Sequence, residues 1–173
     1  MDTIDKKILT ILQSRARIKK SEMARELNLP PTTLQERVRR LEENGVIKKY
    51  QAVIDPEKTG MTVQALVAVT LDRHESSDIR DFEKGIKTIP NIKACYHLSG
   101  RFDYLLHVVA KDLKRLGDLV KIGITSLPDF GRCETHLIFS EVESANTWPF
   151  EDQAESVNTT KNNQAQGGSH AIP

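Results

Sequence analysis

Apolar residues in the first fifty positions recur at helical spacing. Ile4, Ile8, Ile11 and Leu12 fall on one side of a helix over about 2–14. Ser21 is placed to cap a second helix, which carries Met23, Ala24 and Leu27 on one side. Asn28 tolerates the left-handed conformation that ends a helix and begins a tight turn. Pro30 and Pro31 then open a third helix, because a proline at the first helical position forfeits no hydrogen bond. Leu34, Val38 and Leu41 form its buried stripe, and Gly45 stops it. Val46 to Ile54 suits two short strands or an extended arm. Asp55-Pro56 and Gly60 punctuate a linker, so a domain boundary is expected there.

Beyond the linker the period changes. Val63, Ala65, Val67, Val69 and Leu71 alternate as in a half-buried strand. Ile79, Phe82, Ile86 and Ile89 return to helical spacing, with Pro90 past the end. Ile92, Ala94, Tyr96 and Leu98 alternate again. Gly100 breaks the chain, and a strand resumes from Tyr104 to Ala110. Leu113, Leu116, Val120, Ile124 and Leu127 predict one helix stopped by Pro128, and Thr135, Leu137 and Phe139 predict a last strand. The order βαββαβ is the split ferredoxin-like arrangement, one antiparallel sheet with two helices on one face. Its other face stays rich in apolar residues, which points to an interface and a homodimer. Residues 153–173 are rich in Asn, Gln, Ser, Thr and Gly with no apolar period. The expected organisation is a DNA-binding domain over 1–50, a linker over 51–61, a second domain over 62–145 and a flexible tail over 146–173. Trp148 and Phe150 are the tail residues expected to pack.

Charge adds a direction to this plan. The 173 residues carry a net charge of only +1. Residues 1–50 hold 12 Lys or Arg against 7 Asp or Glu, and the remainder holds 13 against 17. A basic first module on an acidic remainder implies a polyanion partner for the first module alone. No apolar run reaches the roughly 20 residues that span a bilayer. The start lacks a basic segment followed by an apolar stretch, so a cytoplasmic protein without membrane association is expected. Cys95 and Cys133 have no metal-binding spacing and are expected to be reduced thiols. No nucleophile–base pair, metal cluster or cofactor motif argues for catalysis.

Two short helices joined by a tight turn, the second ending in a basic cluster, fit a helix-turn-helix that reads double-stranded DNA. At about 100° per residue, Glu36 points most nearly away from the buried stripe of the third helix. Thr32, Arg39 and Arg40 flank it, and Thr33 and Gln35 lie at the edges. Arg37 falls close to the stripe, where an ion pair with nearby acidic residues competes with a DNA contact. Thr32 and Thr33 suit close approach to phosphates or base edges at the positive end of the helix. Lys48 and Lys49 follow and are placed to grip the flanking backbone. Ser21 completes the candidate contacts. A charged, solvated helix in an ordinary three-helix bundle is the competing reading.

The residues also resemble a known family. Ile4-Asp5 with Ile8-Leu9, Ala16-Arg17-Ile18, the run Arg37-Val38-Arg39-Arg40-Leu41-Glu42, Gly45-Val46-Ile47, Asp55-Pro56 and Gly60 occur in the order seen in leucine-responsive and asparagine regulators (Lrp/AsnC). The resemblance continues through Ser99-Gly100-Arg101-Phe102-Asp103-Tyr104 to about Glu143. It implies a transcription regulator with a winged helix-turn-helix and a ferredoxin-like second domain, an α+β chain overall. It implies further that the second domain dimerises, assembles to octamers in some members, and binds amino acids or related small molecules at subunit junctions. This sequence departs from the family pattern at Pro30, where Ser is usual, and at Arg101, where an acidic residue is frequent.

That resemblance directs attention to the loop between the second and third strands. In related proteins this loop and the start of the last strand contact the effector. Here the corresponding candidates are Gly100, Arg101 and Asp103 on the loop and, within about Arg132 to His136 on the strand, Thr135. Gly100 leaves room for a ligand, Asp103 offers a carboxylate to an amino group, and Arg101 offers a guanidinium to a carboxylate. A plain hairpin turn, with Asp103 satisfying backbone N–H groups, is the alternative. His97, His107 and His136 are spread along strands and read as half-buried structural histidines. Two other functions compete: an effector-independent architectural DNA binder, and an enzyme of similar architecture, the tetrapyrrole (siroheme) decarboxylase.

Overall fold

The computed structural model describes residues 1–73, 75–142 and 147–150, without the side chain of Ser76. It separates into two compact units. The first comprises Met1–Ala52 with residues 147–150, and the second Val53–Val142.

In the first unit, α1 spans Thr3–Ser14, α2 Lys20–Glu26 and α3 Pro31–Glu43. A reciprocal cap starts α1. The Asp5 N–H donates to the Asp2 carboxylate at 2.9 Å, and the Asp2 N–H donates to the Asp5 carboxylate at 3.1 Å. Ile8, Met23, Ala24, Leu34, Val38 and Leu41 are buried together and hold the three helices around one small core. Asn28 takes the left-handed conformation at φ 52°, as its side chain permits, and closes the turn before α3. Leu29 N–H donates to the Ala24 carbonyl across that turn.

Three expectations for this unit are corrected. Ser21 does not cap α2. The helix begins at Lys20 behind Lys19, so Ser21 is already helical and its hydroxyl cannot reach back to the first N–H groups. The Lys19 carbonyl instead accepts from Glu22 and Met23. Over Val46 to Ile54 the extended-arm alternative holds and the two strands do not form. Val46 and Tyr50 are 47% and 50% exposed, and among the described residues no strand pairs with this arm. Finally, Trp148 does not pack: it is 80% exposed and is held through its backbone. Gln13 Nε2 donates to its carbonyl at 3.4 Å, and its own N–H donates to Gln13 Oε1. Phe150 is half-buried. The remaining tail, 151–173, lies outside the described residues.

The second unit contains β1 Val63–Leu71, α4 Ser76–Ile86, β2 Ile92–His97, β3 Tyr104–Ala110, α5 Leu113–Asp118 and β4 Phe130–Leu137. The sheet order is β2-β3-β1-β4, with every neighbouring pair antiparallel. Ala65, Val67, Val69 and Leu71 of β1 and Tyr104, Leu106, Val108 and Ala110 of β3 share one face. Phe82 and Ile86 of α4 cover it, with Leu116 of α5 and Ile124 and Leu127 beyond. The Phe82 and Tyr104 rings meet at 4.9 Å. The opposite face carries Leu66, Ala68, Tyr96, Leu105, His107 and Val109, and the core residues of the described helices pack on the other side of the sheet.

Two elements differ from the pattern in sequence. The helix expected from Leu113 to Leu127 is α-helical only to Asp118 and then widens into a π-helical turn over Leu119–Ile124. The last strand starts at Phe130 rather than near Thr135, and ends before Phe139. Gly131 permits the early start. A Cβ there would lie 2.6 Å from the Asp72 carboxylate and 2.9 Å from the Thr70 carbonyl, so only glycine lets β4 close on the irregular end of β1.

Candidate nucleic-acid interface and effector loop

The candidate reading surface lies on α3, whose buried stripe fixes which side faces out. Thr32, Thr33, Gln35, Glu36, Arg39 and Arg40 are all exposed, as are Ser21 on α2 and Lys48 and Lys49 on the arm. Arg37 is different. Its guanidinium donates to Asp2 at 2.7 Å and to Asp5 at 2.8 Å, so it is a structural ion pair between α3 and the start of α1. Burial pushes the Asp5 carboxyl up. The Asp2 N–H and the Arg37 guanidinium outweigh that and hold it below the usual carboxylate value. Arg40 is half tethered, 3.2 Å from Asp5 with its side chain 53% exposed. Arg39 lies between two carboxylates of its own helix. Its Nε and one terminal nitrogen donate to Glu36, and the other terminal nitrogen donates to Glu43. Arg39 in turn holds the Glu36 carboxyl below its usual value.

In the second unit, Gly100 has φ +137°, a conformation that favours glycine, at the turn between β2 and β3. The loop closes on itself and on β1. Leu98 N–H donates to the Asp103 carbonyl, and Asp103 N–H donates to the Val69 carbonyl. The Asp103 carboxylate accepts from Leu71 N–H at 2.8 Å, so this residue has the turn role in addition to any other. Arg101 reaches across to β4 and donates to Glu134 at 2.6 Å, while its guanidinium lies 5.0 Å from the centre of the Phe102 ring. The structure therefore brings Gly100, Arg101 and Asp103 together and joins them to β4 at Glu134, not at Thr135. Thr135 pairs with Val67 and so lies on the helix-covered side of the sheet, exposed at its edge. Glu134 lies within the stretch from Arg132 to His136 expected to face the loop, but Thr135 was taken as its polar contact, and only the reach of Arg101 across the sheet singles out Glu134.

Of the three strand histidines expected to be half-buried, only His107 is; His97 and His136 are exposed. His97 stacks on Tyr104 with ring centres 4.8 Å apart, and His107 shares a 2.9 Å hydrogen bond with Gln64 on the open face. Burial, with Lys93 nearby, keeps the His107 pKa below its ordinary value. Among the described residues no group of histidines, cysteines and carboxylates is arranged to hold a metal ion. No helix of the described residues is long and apolar enough to cross a membrane.

Comparison with known proteins assigns both units. Residues 1–48 match the winged helix-turn-helix DNA-binding family, and residues 64–148 match the Lrp/AsnC ligand-binding domain. The transcriptional regulator AldR of Mycolicibacterium smegmatis is 37% identical over 145 residues, covering 84% of this chain and 85% of that protein. The chain belongs to the Lrp/AsnC family. The leucine-responsive regulatory protein of Escherichia coli K12, at 32% identity over 84% of this chain and 89% of its own, is another relative. The solved structure of LrpC from Bacillus subtilis superposes with a TM-score of 0.74 at 34% identity, covering 83% of this chain and 98% of that one. A transcriptional regulator from Neisseria meningitidis, solved in complex with L-Met, superposes with a TM-score of 0.82 at 25% identity, covering 88% and 99%. As a family member, the chain is a transcriptional regulator with a DNA-binding helix-turn-helix and a ligand-binding α+β domain.

Proposed function

We propose that this Lrp/AsnC protein is a cytoplasmic, sequence-specific regulator, not an enzyme, whose DNA binding or assembly responds to an amino acid held at the Gly100–Asp103 loop. One observation carries the reading. Beside the open backbone of Gly100, a guanidinium and a carboxylate from different elements, Arg101 and Glu134, stand 2.6 Å apart. Such a pair matches the two ends of a zwitterion: Arg101 meets the ligand carboxylate, and Glu134 or Asp103 meets its ammonium group. The leucine-responsive relatives and the L-Met complex of the Neisseria meningitidis regulator favour the same ligand class. Homodimers form through the open apolar face of the sheet, and octamers form by further assembly. An effector then acts by binding the assembled forms unequally.

The test combines calorimetry with DNA-binding titration across a panel of amino acids, on the wild type and on Asp103→Ala. The wild type should respond to one amino acid, and the variant should lose the response while keeping its ligand-free DNA affinity. An equal response in the variant would make Asp103 a turn residue only, as its bond to Leu71 already allows. A wild type that binds DNA and ignores every amino acid would favour an architectural DNA binder.

A further inference from the structure

The exposed face of α3 carries an arrangement that phosphate binding does not explain. Glu36 lies opposite the buried Leu34, Val38 and Leu41, where a reading helix faces the major groove. A carboxylate there repels the DNA backbone. It is also held in place: the Arg39 Nε donates to Glu36 Oε2 at 3.0 Å, a second Arg39 nitrogen donates to Glu36 Oε1, and Glu43 takes the third. Three of the five guanidinium N–H groups are thus engaged. The trio Glu36, Arg39 and Glu43 sums to one negative charge. A cation meant for phosphate would be better placed without these partners. What the trio does present outward is an oriented acceptor, because each Glu36 oxygen keeps lone pairs beyond those used by Arg39.

From this geometry we infer that Glu36 reads a base: its carboxylate accepts a hydrogen bond from the exocyclic amino group of a cytosine in the major groove, and Arg39 is its positioning residue. The chemistry is selective, since cytosine is the base whose major-groove edge is a donor alone. Affinity then comes from other groups on the same unit, Arg40, Lys48 and Lys49, and from the hydroxyls of Thr32 and Thr33. Arg39 acts by fixing the Glu36 rotamer. The inference rests on the family's DNA binding and is independent of any effector.

Selection of bound duplexes from a randomised pool tests it, followed by titration of the chosen sequence at several salt concentrations, all with the full chain. Glu36, Arg39 and Glu43 are exposed on a helix whose core they do not touch, and circular dichroism checks that each variant folds. Glu36→Ala should lose the preference for C·G at one position of the site, by about tenfold or more, and should bind non-specific duplex more tightly. Glu36→Gln should move the preference at that same position toward A·T, because an amide pairs with adenine. Arg39→Ala should flatten the same position while leaving the salt dependence unchanged. An unaltered base profile in Glu36→Ala overturns the inference. A loss of about one unit of salt slope in Arg39→Ala overturns the positioning role and makes Arg39 a phosphate contact braced by Glu36.

Discussion

The two units solve the problem of a stable core in opposite ways. The helical unit buries six apolar residues and one carboxylate, Asp5, which is 1% exposed. That carboxylate takes the Asp2 N–H and the guanidinium groups of Arg37 and Arg40, so polar bonds fasten α1 to α3 where apolar area is scarce. The second unit buries thirteen apolar residues between sheet and helices and, among the described residues, still leaves Leu66, Tyr96, Leu105 and Val109 partly exposed on the other face. A small core depends on directional bonds. A larger one depends on area, and here has apolar surface to spare.

Four measurements press on this contrast, in order of decreasing effect. Phe82→Ala should destabilise the second unit by about 4 kcal/mol, since a large side chain is removed from a packed interior. Hydrogen exchange should show the loss across β1, β3 and α4 and leave α1–α3 unchanged. Asp5→Ala should destabilise the helical unit by about 3 kcal/mol, because Arg37 loses one carboxylate and α1 loses half its cap. A loss confined to a few tenths of a kcal/mol would mean that apolar packing alone holds these helices. The same carboxylate sets a pH response. Its folded pKa lies below the unfolded value of 3.8, so its contribution is present above that pH and is lost as pH falls through the folded value. Acid unfolding of the helical unit should therefore begin below about pH 4, and Asp5→Asn should flatten that dependence.

The third measurement concerns the open face. Leu105→Asp should leave the secondary structure intact and weaken self-association at least about tenfold, because a charge would be buried at the proposed interface. Sedimentation of wild type and variant decides it, and equal association would move the interface elsewhere. Last and smallest, Arg40→Ala should weaken binding to all DNA sequences alike and reduce the salt slope by about one unit. Because Asp5 already draws on Arg40, a change well under one unit would show that its charge is used within the protein.

Much of this was legible in the chain itself. Period alone located three helices, the switch to strands, and the β1 and β3 boundaries, because apolar positions repeat wherever one face is buried. The angle of Arg37 beside the α3 stripe already suggested its ion pair. Other features needed the tertiary structure. Ser21 has the right side chain for a cap, but where α2 starts is decided by the turn that packs before it. Gly131 carries no signal in the pattern, and only its closeness to Asp72 and Thr70 shows why β4 begins there. Thr135 and Glu134 are adjacent in sequence and face opposite sides of the sheet, and only the reach of Arg101 across to β4 decides which of them meets the loop. Local spacing determined the elements and the family's motifs. Which charges meet across elements, Asp5 with Arg37 and Arg101 with Glu134, was decided only when packing brought distant segments together, since such pairs carry no period along the chain.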